Sequence, residues 1–160
     1  DPKVPVAESL GALKDLQKAG KIRHIGLSEV SIEEIRQAKK TVAIVSVQNL
    51  YNLGNRQSEA VLEYCTRYHL GFIPWFPLAA GEIARPGGKL DQEARRHGVT
   101  VSQLALAWLL HRSPVMLPIP GTSSVDHLKE NIGAAAVKLT DSEWADIAGP
   151  DKASAKNQTK

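Results

Sequence analysis

Residues that can hold a ligand recur where the predicted strands of this 160-residue chain end. Three of the four ends are polar, although a plain turn is the ordinary expectation there. Carboxyl ends of parallel strands meet at one edge of an α/β sheet, so the pattern favours a ligand site at that edge. The four ends are Ser28-Glu29, Gln48-Asn49, Trp75-Phe76 and Gly121-Thr122-Ser123.

The stretch "VMLPIPGTSSVDHLKEN", residues 115–131, passes from an apolar run through hydroxyl residues into a predicted helix. Gly121 lets the backbone approach a ligand, and the free amides of a helix N-terminus attract phosphate. An ordinary capped helix explains the same residues, because Ser123 and Asp126 are spaced as a capping box. The residues alone leave both interpretations open. Neither a G-x-G-x-x-G fingerprint nor a Walker motif is present.

Other candidate side chains also have two interpretations. The Gln48 carboxamide can pair with a ligand amide, or it can serve as a strand-end turn residue. Trp75 can stack on a flat ring, although such an aromatic is more often part of the core. The histidines are scattered without metal-ligand spacing, so no metal site and no Ser–His–Asp arrangement is predicted. They are His24, His69, His97, His111 and His127.

Hydrophobic periodicity and capping signals predict alternating strands and helices. Strands are predicted at 23–28, 43–50, 71–78 and 115–120, and helices at 6–19, 31–40, 55–69, 91–97, 102–110, 124–135 and 140–148. Asn55 is the expected cap of the third helix. A parallel α/β sheet follows, either doubly wound or part of a (β/α)8 barrel. Residues 151–160 form a polar tail.

Composition excludes several classes of protein. The net charge of +3 comes with no dense basic stripe, which argues against a nucleic-acid partner. No apolar run reaches the ~20 residues of a membrane span. The single Cys65 is expected to be a buried thiol, which suits a cytoplasmic protein. "DPKVPV" is not a signal peptide, and without an initiator methionine the chain is expected to be processed or partial.

Five motifs in order resemble the aldo-keto reductase family over essentially the whole chain. They are "GKIRHIGLSEV", "VSVQNLYNL", "GFIPWFPLAAG", "QLALAWLL" and "LPIPGTSSVDHLKEN". The resemblance implies a (β/α)8 TIM barrel that uses NADPH, sometimes NADH, to reduce small aldehydes and ketones. Residues 1–150 resemble its C-terminal half, four β/α units and a C-terminal helix. "PWFPLAAG" also resembles the bacterial branch that includes pyridoxal reductases.

The resemblance also implies roles for individual residues. Ser28 and Gln48 match the residues that hold the nicotinamide carboxamide, and Trp75 matches the aromatic that stacks on the ring. Glu130 and Asn131 match the pair on the adenine side. The full implied cofactor site is Ser28, Glu29, Gln48, Trp75, Phe76, Pro77, Leu78, Gly121, Thr122, Ser123, His127, Glu130 and Asn131.

Departures from the family pattern limit these expectations. Glu29 stands where asparagine is common, and Gly121 and His127 stand where many members have lysine and arginine. Fewer fixed cations leave the choice between NADP and NAD open. The family's catalytic Tyr, Lys, Asp and His belong to the other half of the barrel, so no catalytic residue is assigned and the chain alone is expected to be inactive.

Three hypotheses follow. The chain is the cofactor-binding half of a reductase, a non-catalytic dinucleotide-binding half-barrel, or a structural reductase-like subunit. An open four-stranded sheet would expose its edges and inner face, so either the N-terminal barrel half or self-association is expected to cover it.

Overall fold

A parallel three-stranded sheet, in the order β1-β2-β3, lies at the centre of the computed structural model, which describes residues 3–79 and 87–149. The strands are β1 (Ile25–Ser28), β2 (Ile44–Leu50) and β3 (Gly71–Trp75). Ser28 pairs with Gln48, and Leu50 pairs with Trp75, so the carboxyl ends of all three strands meet at one edge. The α/β class with a parallel sheet is confirmed.

Seven α-helices are found within the described residues. They are α1 (Val6–Lys18), α2 (Ile32–Ala38), α3 (Glu59–Arg67), α4 (Lys89–Arg96), α5 (Val101–Arg112), α6 (Val125–Gly133) and α7 (Asp141–Ala148), with a 3-10 turn at Ala134–Ala136. Each predicted helix is present, with ends shifted by a few residues. The predicted polar tail, residues 151–160, lies outside the described residues.

The fourth predicted strand, at 115–120, is wrong in extent. Met116 forms only an isolated parallel bridge to Phe72. Two hydrogen bonds hold it: Phe72 N–H donates to Val115 O at 2.8 Å, and Leu117 N–H donates to Phe72 O at 2.8 Å. The next bond of this ladder would need a backbone N–H at Pro74 of β3, directed to Leu117 O, and proline has no N–H to donate, so the ladder stops here. The third strand similarly stops before Phe76, where φ is 59°.

Capping explains where several helices begin. Ser31 with Glu34, Thr100 with Gln103 and Thr140 with Glu143 form complete capping boxes. The expected cap Asn55 is wrong, because α3 begins later, after Ser58. The Asn55 side chain instead accepts a hydrogen bond from Gln57 N–H within the preceding turn.

The core lies on the side of the sheet that faces the helices. Fully buried Val47 and Phe72 pack there with Leu62 of α3 and Leu104 of α5. Trp108 of α5 and Trp144 of α7 also belong to this cluster.

Cys65 of α3 is a fully buried thiol, as expected. Burial raises the pKa of this thiol to about 11 from an ordinary value of 9.0. The side chain therefore behaves as a small core residue and not as a nucleophile.

A buried polar network anchors the loop after β2. Tyr51 is fully buried, stacks on Trp108 at 6.1 Å between ring centroids, and donates its hydroxyl to Glu59 at 2.6 Å. Burial and the hydrogen bond to Glu59 raise the pKa of Tyr51. Glu59 also pairs with Arg112 near the end of α5, so one ion pair joins the loop, α3 and α5.

The opposite face of the sheet is uncovered by the described residues. Side chains at alternate positions, such as Gln48 and Ile73, are only partly buried. Val45 and Leu117 are 40% and 60% exposed. We call this surface the open sheet face.

The pairing of β1 with β2 leaves no room for a side chain at Gly26 in β1. A Cβ at Gly26 would meet Ser46 Oγ at less than van der Waals contact and Ser46 O at 3.2 Å. We expect Gly26→Ala to lower the free energy of unfolding by about 1–2 kcal/mol, because Ser46 must rotate away and the paired strands must shift. Urea unfolding followed by circular dichroism measures this change.

Gly11, in α1, is the matched control, because a Cβ there meets nothing within 4 Å. Gly11→Ala should raise the stability by about 0.5–1 kcal/mol through helix propensity. Adding Ser46→Ala to Gly26→Ala should recover part of the loss. Equal effects of Gly26→Ala and Gly11→Ala would contradict the close approach of β1 and β2.

Candidate functional site

The paired strand ends place four predicted site residues side by side. Ser28 ends β1 and lies in register with Gln48 of β2. Glu29 follows with φ at 53°, and its N–H donates to Gln48 O at 2.9 Å, which continues the ladder by one bond. Trp75 ends β3 beside Leu50. The structure therefore brings Ser28, Glu29, Gln48 and Trp75 to one edge.

The Glu29 carboxylate spans this edge. Its Oε1 accepts Leu50 N–H at 2.7 Å and also accepts the indole N–H of Trp75. One oxygen thus connects the ends of β2 and β3, and the second hydrogen bond restricts the rotation of the indole. Because charge-assisted hydrogen bonds are about twice as strong as neutral ones, this contact gives Trp75 a defined orientation.

Two buried carboxamides support the edge from the core side. Asn49 exchanges hydrogen bonds with the Val30 backbone, with its Nδ2 2.8 Å from Val30 O and its Oδ1 3.1 Å from Val30 N. Asn52, 2% exposed, donates to Phe76 O at 3.0 Å. Its Oδ1 accepts the amides of Gly54 and Asn55, both at 2.9 Å.

Sequence reasoning grouped Asn49 with Gln48 and did not single out Asn52. Side chains alternate between the two faces of a strand, so the sequence could have predicted that Asn49 and Gln48 point to opposite faces of the sheet. Asn52 follows a buried strand and precedes Gly54, a pattern typical of an Asx turn. Its bond to Phe76 depends on the tertiary fold.

A cleft of about 630 Å³ continues from the strand edge toward α6. Its volume falls within the range of about 300–1,000 Å³ that is typical of small-molecule sites. Five predicted site residues line it, together with two that were not predicted, Ile119 and Pro120. The five are Phe76, Pro77, Leu78, Gly121 and His127.

The cleft joins the strand edge through neighbouring aromatic residues. The ring centroids of Trp75 and Phe76 lie 6.0 Å apart. Phe76 is 44% exposed, so its ring offers apolar area to an incoming molecule. The contact between these two rings links the two groups of predicted residues.

The start of α6 differs in one detail from the prediction. Ser124, and not Ser123, is the N-cap, and it accepts His127 N–H at 3.4 Å. Thr122 Oγ1 accepts Ser124 N–H at 3.1 Å and shapes the turn. The Ser123–Asp126 capping box is therefore wrong, while Thr122 and Ser123 lie exposed next to Gly121 at the cleft.

Glu130 and Asn131 do not appear among the residues that line the cleft. They lie three and four positions after His127 on α6, so they extend the same side of the helix by one turn. Both are partly buried. Lys129, a nearby cation, pairs with Asp126 at 3.4 Å.

The comparisons with known proteins agree with this architecture. Residues 1–151 match the family described as Aldo/keto reductase family. The chain belongs to the aldo-keto reductase family. The resemblance of the five sequence motifs is thereby confirmed.

Curated relatives of this aldo-keto reductase chain match over about half of their length. An uncharacterised oxidoreductase of Schizosaccharomyces pombe is 50% identical over 147 residues, which cover 92% of this chain and 48% of the relative. Pyridoxine 4-dehydrogenase of Escherichia coli is 39% identical over 144 residues, covering 90% and 50%.

Solved aldo-keto reductases share the fold. A thermostable member bound to the inhibitor epalrestat superposes with a TM-score of 0.84 at 31% identity, covering 92% of this chain and 56% of that one. A Klebsiella pneumoniae member in complex with NADP and acetate gives a TM-score of 0.82 at 31% identity, covering 94% and 56%. The chain thus has the fold of about half of a barrel of this family.

Asn52 gives a test of how the site edge is supported. Asn52→Ala removes the partner of Phe76 O and of two backbone amides in a buried place. We expect a loss of about 2–3 kcal/mol in the free energy of unfolding, since each unsatisfied buried group is costly. Urea titration measures it.

Asn55→Ala is the control, because its side chain accepts one hydrogen bond in an exposed turn. That variant should lose no more than about 1 kcal/mol. If the two variants lost equal stability, Asn52 would not have the supporting role assigned to it.

Proposed function

We propose that this chain binds NADPH or NADH along the strand edge and the cleft, and that it forms the cofactor-binding half of a reductase for small aldehydes and ketones. The observation that supports the proposal is that nine predicted cofactor residues fall into two groups, which the contact between Trp75 and Phe76 links. Four lie at the strand edge and five line the cleft.

The strand edge suits the nicotinamide end. The Gln48 and Ser28 side chains offer an amide and a hydroxyl, which can pair with a carboxamide. Trp75 offers a flat surface whose orientation is set by Glu29. Stacking and amide pairing together present one face of the ring, so these residues orient the cofactor and do not react.

The cleft suits the phosphates and the adenosine. Exposed hydroxyls at Thr122 and Ser123 follow Gly121, where a Cβ would meet nothing within 4 Å. His127 is the cationic candidate in the lining, and Lys129 is engaged by Asp126. Since His127 is the one cationic side chain among the described residues that line the cleft, we propose that affinities for NADPH and NADH differ by less than about tenfold.

The proposed reaction divides between this chain and residues outside it. When bound, the reduced nicotinamide supplies the hydride that reaches the carbonyl carbon. By the family resemblance, the proton donor is a tyrosine, and none of the tyrosines of this chain matches it. General acid catalysis of this kind raises the reaction rate by about 10²–10⁴-fold. An aromatic aldehyde of the pyridoxal type is the proposed substrate, in keeping with the Escherichia coli relative.

The open sheet face is proposed to be covered by the rest of the barrel in a longer protein. The chain spans about half of the relatives that it matches, and Val45 and Leu117 leave apolar area on that face. We place the protein in the cytoplasm, which the unpaired Cys65 supports. Within residues 3–79 and 87–149, no helix is long and apolar enough to cross a membrane.

Cofactor binding is tested by titrating NADPH and NADH into the 160-residue chain and recording tryptophan fluorescence. We expect saturable quenching with a micromolar dissociation constant, because the ring stacks on Trp75. Trp75→Phe should abolish most of the quenching. Trp144→Phe is the matched control and should retain it, since Trp144 is a residue of α7 that is buried in the core.

Two results would overturn the proposal. One is the absence of saturable quenching by either dinucleotide, and the other is full quenching in Trp75→Phe. We expect the chain to bind the dinucleotide but not to consume NADPH when pyridoxal is present. Turnover by the chain alone would refute the assignment of the acid to other residues.

Coverage of the open sheet face is tested by light scattering after size-exclusion chromatography. Alone, the chain should self-associate through this face, and Leu117→Glu should shift it toward monomer. Val6→Glu is the control, because Val6 is also 60% exposed but lies on α1. A monomeric, cooperatively melting wild-type chain would contradict the expectation.

A further inference from the structure

Three potential metal ligands meet where α4 packs against α7, among residues that do not line the cleft. One ligand atom each of Glu93, His97 and Glu143 lies within 4.8 Å of the other two. Glu93 and His97 are four residues apart at the end of α4, where His97 N–H donates to Glu93 O at 3.1 Å. They therefore share one face of the helix.

His97 and Glu143 are already in contact. The His97 Nε2 lies 2.9 Å from Glu143 Oε1. Ligand atoms around a zinc ion lie about 2.0–2.2 Å from the metal, and hence about 3.3–3.6 Å apart in a tetrahedral shell. The observed 2.9 Å is a hydrogen-bond distance, so the two atoms need to separate by about 0.5 Å to bind one ion. Glu93 can approach by rotation of its side-chain torsions.

Glu93 gives an independent sign of a ligand. It is 7% exposed, and its buried Oε2 accepts no hydrogen bond within the described residues. The Arg96 guanidinium lies 3.2 Å away and contributes charge without hydrogen-bond geometry. A buried carboxylate oxygen that accepts no hydrogen bond is costly; the ion pair with Arg96 offsets part of this cost, and a directly bound metal ion would supply the missing contact.

Glu143 is held in the orientation that a ligand needs. Its Oε2 accepts both the N–H and the hydroxyl of Thr140 at 2.8 Å, in the capping box of α7. These bonds and the contact with His97 lower the pKa of the Glu143 carboxyl. Its other oxygen is left to face His97. Outer partners of this kind fix metal ligands elsewhere.

We propose that Glu93, His97 and Glu143 bind a divalent transition-metal ion of the Zn²⁺ type, which ties α4 to α7. One imidazole nitrogen and two carboxylate oxygens are a donor set for such ions, with water completing the shell. His97 also follows the C-terminus of α4, where the helix dipole favours a cation. The site is independent of the proposed dinucleotide site.

The sequence predicted no metal site, because its five histidines lack ligand spacing. The proposed site contains one histidine, and Glu143 comes from 46 residues further along the chain. The fold creates the cluster. An alternative without metal is a His97–Glu143 hydrogen bond beside a Glu93–Arg96 ion pair.

The experiment titrates ZnCl₂ into the untagged, chelator-treated 160-residue chain by isothermal calorimetry and repeats the titration with Co²⁺ by absorption spectroscopy. We expect one equivalent to bind with a micromolar or tighter dissociation constant and to raise Tm. His97→Gln and Glu93→Gln should each weaken binding by at least about tenfold. His24→Gln, at an exposed histidine before β1, should bind as the wild type does.

Glu143→Gln guards against a folding defect, because glutamine keeps an acceptor for the Thr140 cap. It should retain the far-UV circular dichroism spectrum and still lose affinity for Zn²⁺. Absence of saturable binding would overturn the proposal. Binding that survives in both His97→Gln and Glu143→Gln would also overturn it, since the ion would then lie elsewhere.

Discussion

The Glu29 carboxylate is the contact on which the site edge depends. It accepts from the backbone of β2 and from the Trp75 indole at the end of β3, so it fixes a side chain across strands that pair only through their backbones. The backbone of Glu29 has a φ of 53°, and this left-handed conformation ends β1 and turns the chain directly after Ser28. A charged acceptor in place of the family's usual asparagine gives a stronger bond to both donors.

Much of the fold follows from local patterns. Three capping boxes and the apolar strands were readable in the sequence, because capping and alternation are properties of neighbouring residues. The fourth strand and the Asn55 cap were wrong for different reasons. Pro74 has no N–H to continue the ladder, so only a bridge remains at Met116. The turn around Asn52 delays α3 until after Ser58.

The sequence predicted which residues belong to the candidate site, but it did not predict the hydrogen bonds that join them. Strand-end position pointed to Gln48 and Trp75, and the family motifs pointed to Gly121 and His127. The hydrogen bonds of Glu29 and Asn52 join residues 21 to 46 positions apart, and no periodicity encodes such pairs. The same holds for the contact of His97 with Glu143.

The buried thiol of Cys65 has a consequence for handling the protein. With its pKa near 11, thiolate is about a hundredfold scarcer at neutral pH than for an ordinary cysteine, and the side chain is completely buried between α3 and the rest of the core. Oxidative cross-linking then requires α3 to detach from the sheet. A disulfide-linked dimer on a non-reducing gel would therefore record past unfolding of the chain and would say nothing about its native assembly.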